Sequence, residues 1–440
     1  MTRLNAKVLN YLGCIWLAGL AGNAHATGFL EDSKATLSMR NFYMDDDSRS
    51  GAPSVKEWGQ GFMLNYQSGF TEGMVGAGVD AVGILGIKLD SGGRAGKPGI
   101  TRIPGNMFPR ESDGSSVDEF SSLGFTGKLR VSKTELRMGT LMPRNPVIGY
   151  SDGRMLPQMF QGTQLTSKEL SDVTLTAGLI EHARGRGSSN YEPLSAPGAS
   201  STGFTNKFYY AGADYQPIKA LTLQYYYGEL EDFYKQHFVG LLHEKPIGPG
   251  ALKTDLRYFH SDSTGANKRG DQDYLVTGYY GGNITKGEVD NDTWSALFTY
   301  TIGGHTIGAG YQSVRGDSYF PSVNQGDGSY VYLITDSIIG RFGSPGEDTW
   351  QARYSYDFAA VGIPGLTVGT IYNRGTGART ANAPGTEQEY DTTLSYVIQG
   401  GMFKGLGFAY RNAVYRSDLT ASGTRNDQNR IVVNYTIPLL

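Results

Sequence analysis

A chain of 440 residues with 62 glycines, 29 tyrosines, 19 phenylalanines and one cysteine, at a mean hydropathy of -0.34, is too polar for a bundle of membrane-spanning helices of this size. Its 39 basic and 42 acidic residues give a formal charge of -3, with both signs dispersed and no basic block, which argues against a nucleic-acid partner. The single thiol, Cys14, leaves no disulfide and no thiolate metal site in the chain that follows it.

The first 26 residues read as a secretory signal peptide. Arg3 and Lys7 make a charged start, an apolar run extends from Val8 to Leu20, and Ala24-His25-Ala26 offers small residues for cleavage. The apolar run is shorter than the roughly 20 residues that a spanning helix needs. Leu12-Gly13-Cys14 faintly resembles a lipoprotein box, but the apolar stretch continues past it. The mature chain is therefore expected to start at Thr27 and to form one domain, 27–440, in an oxidising compartment.

Beyond residue 26 no stretch approaches 18 apolar residues, and the chain alternates instead. In 350–358 one face carries Trp350, Ala352, Tyr354, Tyr356 and Phe358, the other Gln351, Arg353, Ser355 and Asp357, a period of two that predicts a strand. The pattern recurs at 37–43, 58–66, 75–87, 123–131, 173–179, 221–227, 294–302, 366–372, 390–398 and 406–414. A soluble sandwich would alternate too. Here the apolar faces repeatedly begin or end in Trp or Tyr (Trp58, Tyr66, Trp294, Tyr300, Trp350, Tyr372), as aromatic girdles at a membrane interface require, and the opposite faces carry Arg, Lys, Asp and Gly.

Connections alternate between short ones, such as Gly303-Gly304, and long polar ones, such as 184–206 and 315–348, matching periplasmic turns and external loops. Nineteen candidate strands would break that alternation, so 273–282 is assigned to an external loop spanning 261–292. The expected architecture is all-β: an 18-stranded antiparallel transmembrane β-barrel with both ends at the periplasm. Its last strand, 430–440, ends on Leu440, whereas outer-membrane barrels commonly end on an aromatic residue.

If the aromatic faces meet lipid, their partners face the lumen, because a charge on the lipid face costs about 2 to 4 kcal/mol near the midplane. The inward bases are then Arg40, Lys128, Arg130, Arg137, Lys253, Arg257, Arg353, Arg411 and Arg430, against few acids (Asp80, Glu135 and, on a loop, Asp152). A lumen more basic than the protein as a whole attracts anions. The segment 141–164 mixes three prolines with Ile148, Tyr150, Met155, Leu156, Met159 and Phe160, too apolar for an external loop. It is expected to fold inside the barrel as a constriction, with Arg144, Tyr150, Ser151, Asp152 and Arg154 at the narrowest point.

That loop, LMPRNPV…SDGRMLPQMFQG, together with 29–44 (FLEDSKATLSMRNFYM), 57–90, 166–181 (TSKELSDVTLTAGLIE) and 363–375 (IPGLTVGTIYNRG), resembles the OprD-type substrate-specific porins of pseudomonads and relatives, in order along the whole mature chain. The resemblance implies an 18-stranded monomeric barrel, an inward third loop, and uptake of small water-soluble carboxylates past a ladder of basic wall residues. Arg40, Arg137, Arg353 and Arg411 lie in matching strand motifs; Lys128, Arg130, Arg257 and Arg430 are placed by inward parity. The partners expected are small carboxylate substrates, aromatic or aliphatic acids before basic amino acids, with outer-membrane lipid, lipopolysaccharide and the barrel-assembly machinery.

Other functions fit less well. A nonspecific diffusion porin would carry an acidic loop. An enzyme would need a nucleophile and base together, but His182, His237, His243, His260 and His305 fall near strand ends, outside any G-x-S-x-G or H-E-x-x-H motif. A plugged receptor would need a domain before the first strand. Asp45, Asp46 and Asp47 cluster where the first external loop is expected, but a solvated surface explains them, and no metal or cofactor is assigned.

Overall fold

The computed structural model describes residues 27–49, 51–94, 99–324 and 330–440. The proposed signal peptide, 1–26, lies outside the described residues. A short helix, Thr27–Glu31, leads into eighteen wall strands: β1 (Lys34–Ser48), β2 (Ser54–Gln67), β3 (Val75–Asp90), β4 (Glu119–Val131), β5 (Thr134–Leu141), β6 (Met159–Ser167), β7 (Val173–Arg184), β8 (Phe208–Ile218) and β9 (Leu221–Leu230) make the first half. The second half is β10 (Tyr234–Ile247), β11 (Gly250–Ser263), β12 (Asp290–Ile302), β13 (His305–Gly316), β14 (Asp348–Asp357), β15 (Leu366–Ala378), β16 (Gly385–Val397), β17 (Gly407–Ser417) and β18 (Thr424–Pro438).

Each strand pairs antiparallel with the next, and β1 pairs with β18 from Thr36↔Pro438 to Ser48↔Asn426. The sheet closes on itself and leaves no edge strand to pair elsewhere. Its pleat puts apolar side chains outside and polar ones inside, the reverse of a soluble protein. Trp350 is 66 % exposed while its strand neighbour Gln351 is 4 % exposed; Trp294 is exposed between buried Thr293 and Ser295. Leu123, Phe125 and Leu129 on β4 are exposed in the same way. An outer face of this kind is stable only against hydrocarbon.

One end of the barrel carries turns as short as 132–133, 219–220, 248–249 and 303–304. The other carries long loops, here L2 (91–118), L3 (142–158), L4 (185–207), L6 (264–289) and L7 (317–347). The segment 273–282 falls in L6, where Val276–Tyr280 and Asn283–Gly287 pair as a small hairpin of their own, off the barrel wall. That keeps the strand count even and both ends of the described chain, Thr27 and Leu440, on the short-turn side.

Two further expectations change. Asp45, Asp46 and Asp47 belong to β1, not to a loop, because the strand runs to Ser48; Asp45 pairs with Lys56 at 3.0 Å, Asp46 accepts from Gln428 at 2.6 Å and Asp47 lies 3.4 Å from Arg49. L7 is also not simply an external polar loop. Phe320, Val323, Val331 and Leu333 enter the lumen and pack with Phe238 and Phe259 of the wall, together with Leu194 and Ala196 of L4. Met107 and Phe108 bring L2 inside as well, against Phe42 and Phe120. Apolar side chains on four loops thus need cover, and the lumen supplies it.

Candidate functional site

L3 crosses the lumen because its two ends are apolar and its middle is not. At the first end Val147 and Ile148 join the aromatic cluster of Phe208, Tyr210, Tyr226, Phe238 and Phe259 on β8 to β11. The turn before them is tied by Asn145, whose Oδ1 accepts from the Ile148 amide at 2.9 Å. At the second end Met155 and Leu156 pack with Phe42, Val82, Ile84 and Phe120 on β1, β3 and β4. Glycines in the wall make that approach possible: a Cβ at Gly61 would lie 2.9 Å from Met155 Cγ, and one at Gly59 would lie 2.6 Å from its sulfur. Residues 150–154 are suspended between the anchors, and the Ser151 carbonyl accepts from the Gln158 amide at 2.8 Å to close that bend.

Arg40 on β1 holds this suspended segment to the wall. Its Nη1 donates to Asp152 Oδ1 at 2.8 Å and to the Arg154 carbonyl at 2.7 Å, its Nη2 donates to Asp152 Oδ2 at 3.3 Å, and its Nε donates to Asn434 at 2.9 Å. A forked guanidinium–carboxylate pair fixes geometry as well as charge. Arg411 on β17 sits within the field of Arg40 and Asp152 and has no hydrogen-bond partner among the described residues. Arg430 on β18 is paired across the ladder with Arg411. It is buried, and its Nη1 and Nη2 donate to the Gly153 carbonyl at 3.3 Å and the Ile338 carbonyl at 3.0 Å, joining L3 to L7.

L7 forms the facing rim. Its segment 334–341 is fixed to the wall by backbone amides: Glu389 accepts from Ile339 at 2.8 Å and Gly340 at 2.6 Å, and Asp391 accepts from Ile338 at 3.2 Å. Asn373 donates to Ser337 at 2.6 Å and Gln351 to the Ile334 carbonyl at 2.8 Å. Between L3 and L7 lies a cavity of about 400 Å³ that takes Arg144 and Arg154 from L3, Arg186 from L4, Arg341 from L7 and Arg430 from the wall. Tyr150, Ser151 and Asp152 line it as well, with Asp336 across from L7. The Arg144 guanidinium stacks on the Tyr150 ring at 4.5 Å and donates to its hydroxyl at 2.5 Å. Asp336 is solvent-exposed at the cavity surface yet lies deep in the barrel; that depth pushes its carboxyl up to about 6, against the pull of Arg341 and Arg186.

The other bases do not form one continuous ladder. Arg257 is pinned by Asp255 through 2.8 and 2.6 Å hydrogen bonds and lies 3.7 Å over the Tyr332 ring. Arg353, on the same side of the barrel, donates to Gln351 and, at 3.4 Å, to the Ile334 carbonyl. These two brace L7 and are absent from the cavity lining. Toward the short-turn end, Lys128 is buried, not open to a lumen: its ammonium lies 2.7 Å from Asp80 and 2.7 Å from the Ser68 carbonyl. Arg130 covers the Phe70 ring at 4.2 Å, and Arg137 pairs with Glu135 at 2.5 Å and lies 3.8 Å from Asp80.

The expectation of few inward acids is corrected. Asp46, Glu57, Asp255, Glu347, Glu387, Glu389 and Asp391 all turn inward or into the loops and are wholly or largely buried. Several serve as anchors: Glu57 accepts from the Met107 amide of L2 at 2.9 Å and from Ser91 at 3.2 Å, as Glu389 does for L7. Glu347, at the end of L7, is buried against Glu387, and its carboxyl is pushed well above the ordinary range. Glu57, Glu389 and Asp391 are therefore matched to loop backbone, Asp255 to Arg257 and Asp46 to Gln428, while five guanidinium groups gather around the cavity. Arg186 and Arg341 carry no sequence signal, since loops lack periodicity. Asp391 and Glu389 did have one: Asp391 lies inside the alternating stretch 390–398, and Glu389 shares its parity one residue before that stretch begins.

Comparison with known proteins agrees with this geometry. The sequence profile of the outer membrane porin, OprD family, matches residues 27–439. The chain is 36 % identical over 428 residues to the porin-like protein GalP of Pseudomonas putida, covering 96 % of each. It is 33 % identical to Porin D of Pseudomonas aeruginosa, covering 96 % of this chain and 95 % of the relative. Among solved structures, Pseudomonas aeruginosa OccK8 (OprE) superposes with a TM-score of 0.87 at 54 % identity, covering 94 % of this chain and all of that one. Pseudomonas aeruginosa OpdK, solved with vanillate, gives a TM-score of 0.83 at 36 % identity, covering 93 % of this chain and all of that one.

Proposed function

This chain belongs to the OprD family of outer membrane porins, a substrate-specific channel and not an enzyme, and from that premise we propose that it admits small solutes bearing a carboxylate. The observation that carries the reading is the convergence of five guanidinium groups on the cavity between L3 and L7. Arg411 stands beside it, and Arg40 neutralises Asp152. Asp336 faces the cavity within the field of Arg341 and Arg186, and the other acids nearby are turned to amides or to other bases, so a passing solute meets net positive charge. Positive potential in a narrow, low-dielectric passage concentrates anions without an energy source. OpdK was solved with vanillate, and an aromatic ring bearing a carboxylate is chemistry that this cavity suits, with Tyr150 and Tyr330 among its lining residues.

The test is a pair of solutes of one shape. In liposomes carrying the purified full chain, benzoate should enter several-fold faster than neutral benzamide at limiting concentration, and the advantage should shrink as salt is raised from about 0.1 M to about 1 M. Equal rates for the acid and its amide at low salt would reject carboxylate selection and leave a general pore.

A further inference from the structure

The outward face of β14 to β18 carries a row of guanidinium groups that the lumen does not use. Trp350, Arg374, Gln388, Arg416 and Arg425 stand in register across the ladder, one from each strand. Arg49, just past β1, extends the row, its amide donating to the Arg425 carbonyl at 2.8 Å. The pleat turns these side chains away from the lumen: Arg374 is exposed beside buried Asn373, Gln388 is exposed beside buried Glu389, and Arg425 is exposed on the strand that buries Gln428 and Arg430. With neighbouring strands about 4.8 Å apart, the row from Arg374 to Arg425 is about 15 Å long.

Like charges directly opposite one another on a ladder repel, and this row sets Arg425 between Arg416 and Arg49. Asp427 answers the two outer members, accepting from Arg416 at 2.7 Å and from Arg49 at 2.8 Å. The Arg425 side chain has no hydrogen-bond, ion-pair or ring partner among the described residues, and neither has that of Arg374. Asp418 is turned to the Thr386 amide and hydroxyl, at 2.5 and 3.0 Å. Arg374, Gln388, Arg416 and Arg425 line one cleft of about 560 Å³. Two residues toward the middle of the wall, Tyr372 and Tyr390 are ladder partners on the same outward face, and Tyr390 and Trp350 are exposed. The aromatic girdle therefore borders the cleft.

We propose that this cleft seats the phosphorylated headgroup of an outer-leaflet lipid, with Arg374 and Arg425 as its main donors and Arg416 as a further charge. It lies at the long-loop end, at the height where the girdle marks the change from hydrocarbon to headgroups. A phosphate monoester offers charged oxygens to a planar fork. The acyl chains of the same lipid rest on Trp350, Tyr372 and Tyr390, which a free phosphate does not use. A solute in the lumen does not reach these outward side chains, so the site stands or falls apart from the carboxylate reading.

The test uses the purified full chain in detergent and follows bound lipid by native mass spectrometry, with lipid A, an acylated disaccharide bearing two phosphates, as the probe. Lipid A should half-saturate the wild type at a concentration about tenfold below that of the same lipid stripped of its phosphates. Arg374→Gln with Arg425→Gln should raise the half-saturating concentration of lipid A about tenfold and leave single-channel conductance unchanged. Should the double variant fail to fold, Arg374→Gln alone should give about threefold. Arg374→Lys with Arg425→Lys should recover binding in part, since it restores charge without the fork. Lys219→Gln with Lys245→Gln removes two exposed charges at the short-turn end and should change nothing. Equal binding of the phosphorylated and stripped lipids, wild-type binding by the arginine variants, or an equal loss in the lysine variant would overturn the site. Displacement of lipid A by inorganic phosphate at equal concentration would make it a site for free phosphate and overturn the lipid assignment.

Discussion

Arg40 uses all of its guanidinium nitrogens on the protein, two toward Asp152 and Arg154 and one toward Asn434, whereas Arg411, two strands away, uses none among the described residues. Substituting them should therefore give different results. Arg411→Gln removes charge that faces water and should leave the barrel folded while lowering anion over cation preference by about twofold to fivefold, read from single-channel current in asymmetric salt. Arg411→Lys should restore the ion preference in part only, since it brings charge without the planar fork. Arg40→Gln also exposes the Asp152 carboxylate, so its loss of anion preference should exceed that of Arg411→Gln. Asp336 adds a pH dependence with a definite sign. Its carboxyl is raised to about 6, so it is charged above that value and neutral below it; acidification from pH 7 to pH 5 removes a negative charge from the cavity and should strengthen block by sulfate, which stays a dianion throughout. Asp336→Asn should show the low-pH behaviour at both pH values, and a wild-type response that survives in this variant would assign the titration elsewhere. At this scale the sequence showed inward parity for Arg40, Arg130, Arg137, Arg257, Arg353, Arg411 and Arg430 but not what each one touches. Lys128 and Arg257 have the same parity as Arg411, yet ion pairs at 2.7 and 2.6 Å withdraw both from solvent. Pairing of that kind depends on neighbours far apart in sequence.

L3 and L7 are built on one plan from different materials. L3 is held by apolar side chains at both ends, as 141–164 announced through its mix of Ile148, Met155, Leu156 and three prolines. L7 is held by the scattered apolar side chains of Phe320, Val323, Val331 and Leu333 and, at 338–340, by backbone amides that donate to Glu389 and Asp391, and backbone amides leave no mark in a sequence. That is why one inward loop was legible and the other read as polar surface. Two substitutions separate the anchors. Gly61→Val puts a branched side chain where even a Cβ would stand 2.9 Å from Met155; overpacking of about 1 to 3 kcal/mol should displace L3 and alter conductance without preventing barrel assembly. Glu389→Gln puts an NH2 in place of one accepting oxygen, so one of the two amides loses its partner, a loss of about 1 to 3 kcal/mol at L7. It should appear as added open-channel noise and faster protease cleavage within 330–345, with heat-modifiable gel migration unchanged. Cleavage no faster than in the wild type would mean that Glu389 does not hold the loop.

The barrel itself was the most legible level, because period-two alternation with aromatic ends is repeated around the whole wall and each repeat constrains the rest. The even strand count followed from connection lengths: placing 273–282 in L6 put every later short turn at one end, and Tyr279 and Tyr280 are found there in a loop hairpin with Gly281 and Gly282 at its tip. A tag inserted after Gly282 should be labelled on whole cells; protection there with labelling at Gly303-Gly304 would invert the orientation. What the alternation did not disclose was how far the lumen is filled, since four loops fold into it and bring acids and bases that pair across the barrel. Net charge is a poor guide for the same reason. A chain with a formal charge of -3 places several acids against loop amides and five guanidinium groups around one cavity, so the sign of the whole protein does not fix the sign of the proposed passage. The most direct test of that separation is the reversal potential of the purified full chain in a potassium chloride gradient, measured for the wild type and for Arg154→Gln with Arg411→Gln combined. The wild type should favour chloride, and the double variant should move the reversal potential toward zero or past it with the barrel still heat-modifiable; a wild type that favours potassium, or a double variant with the wild-type reversal potential, would contradict an arginine-lined path.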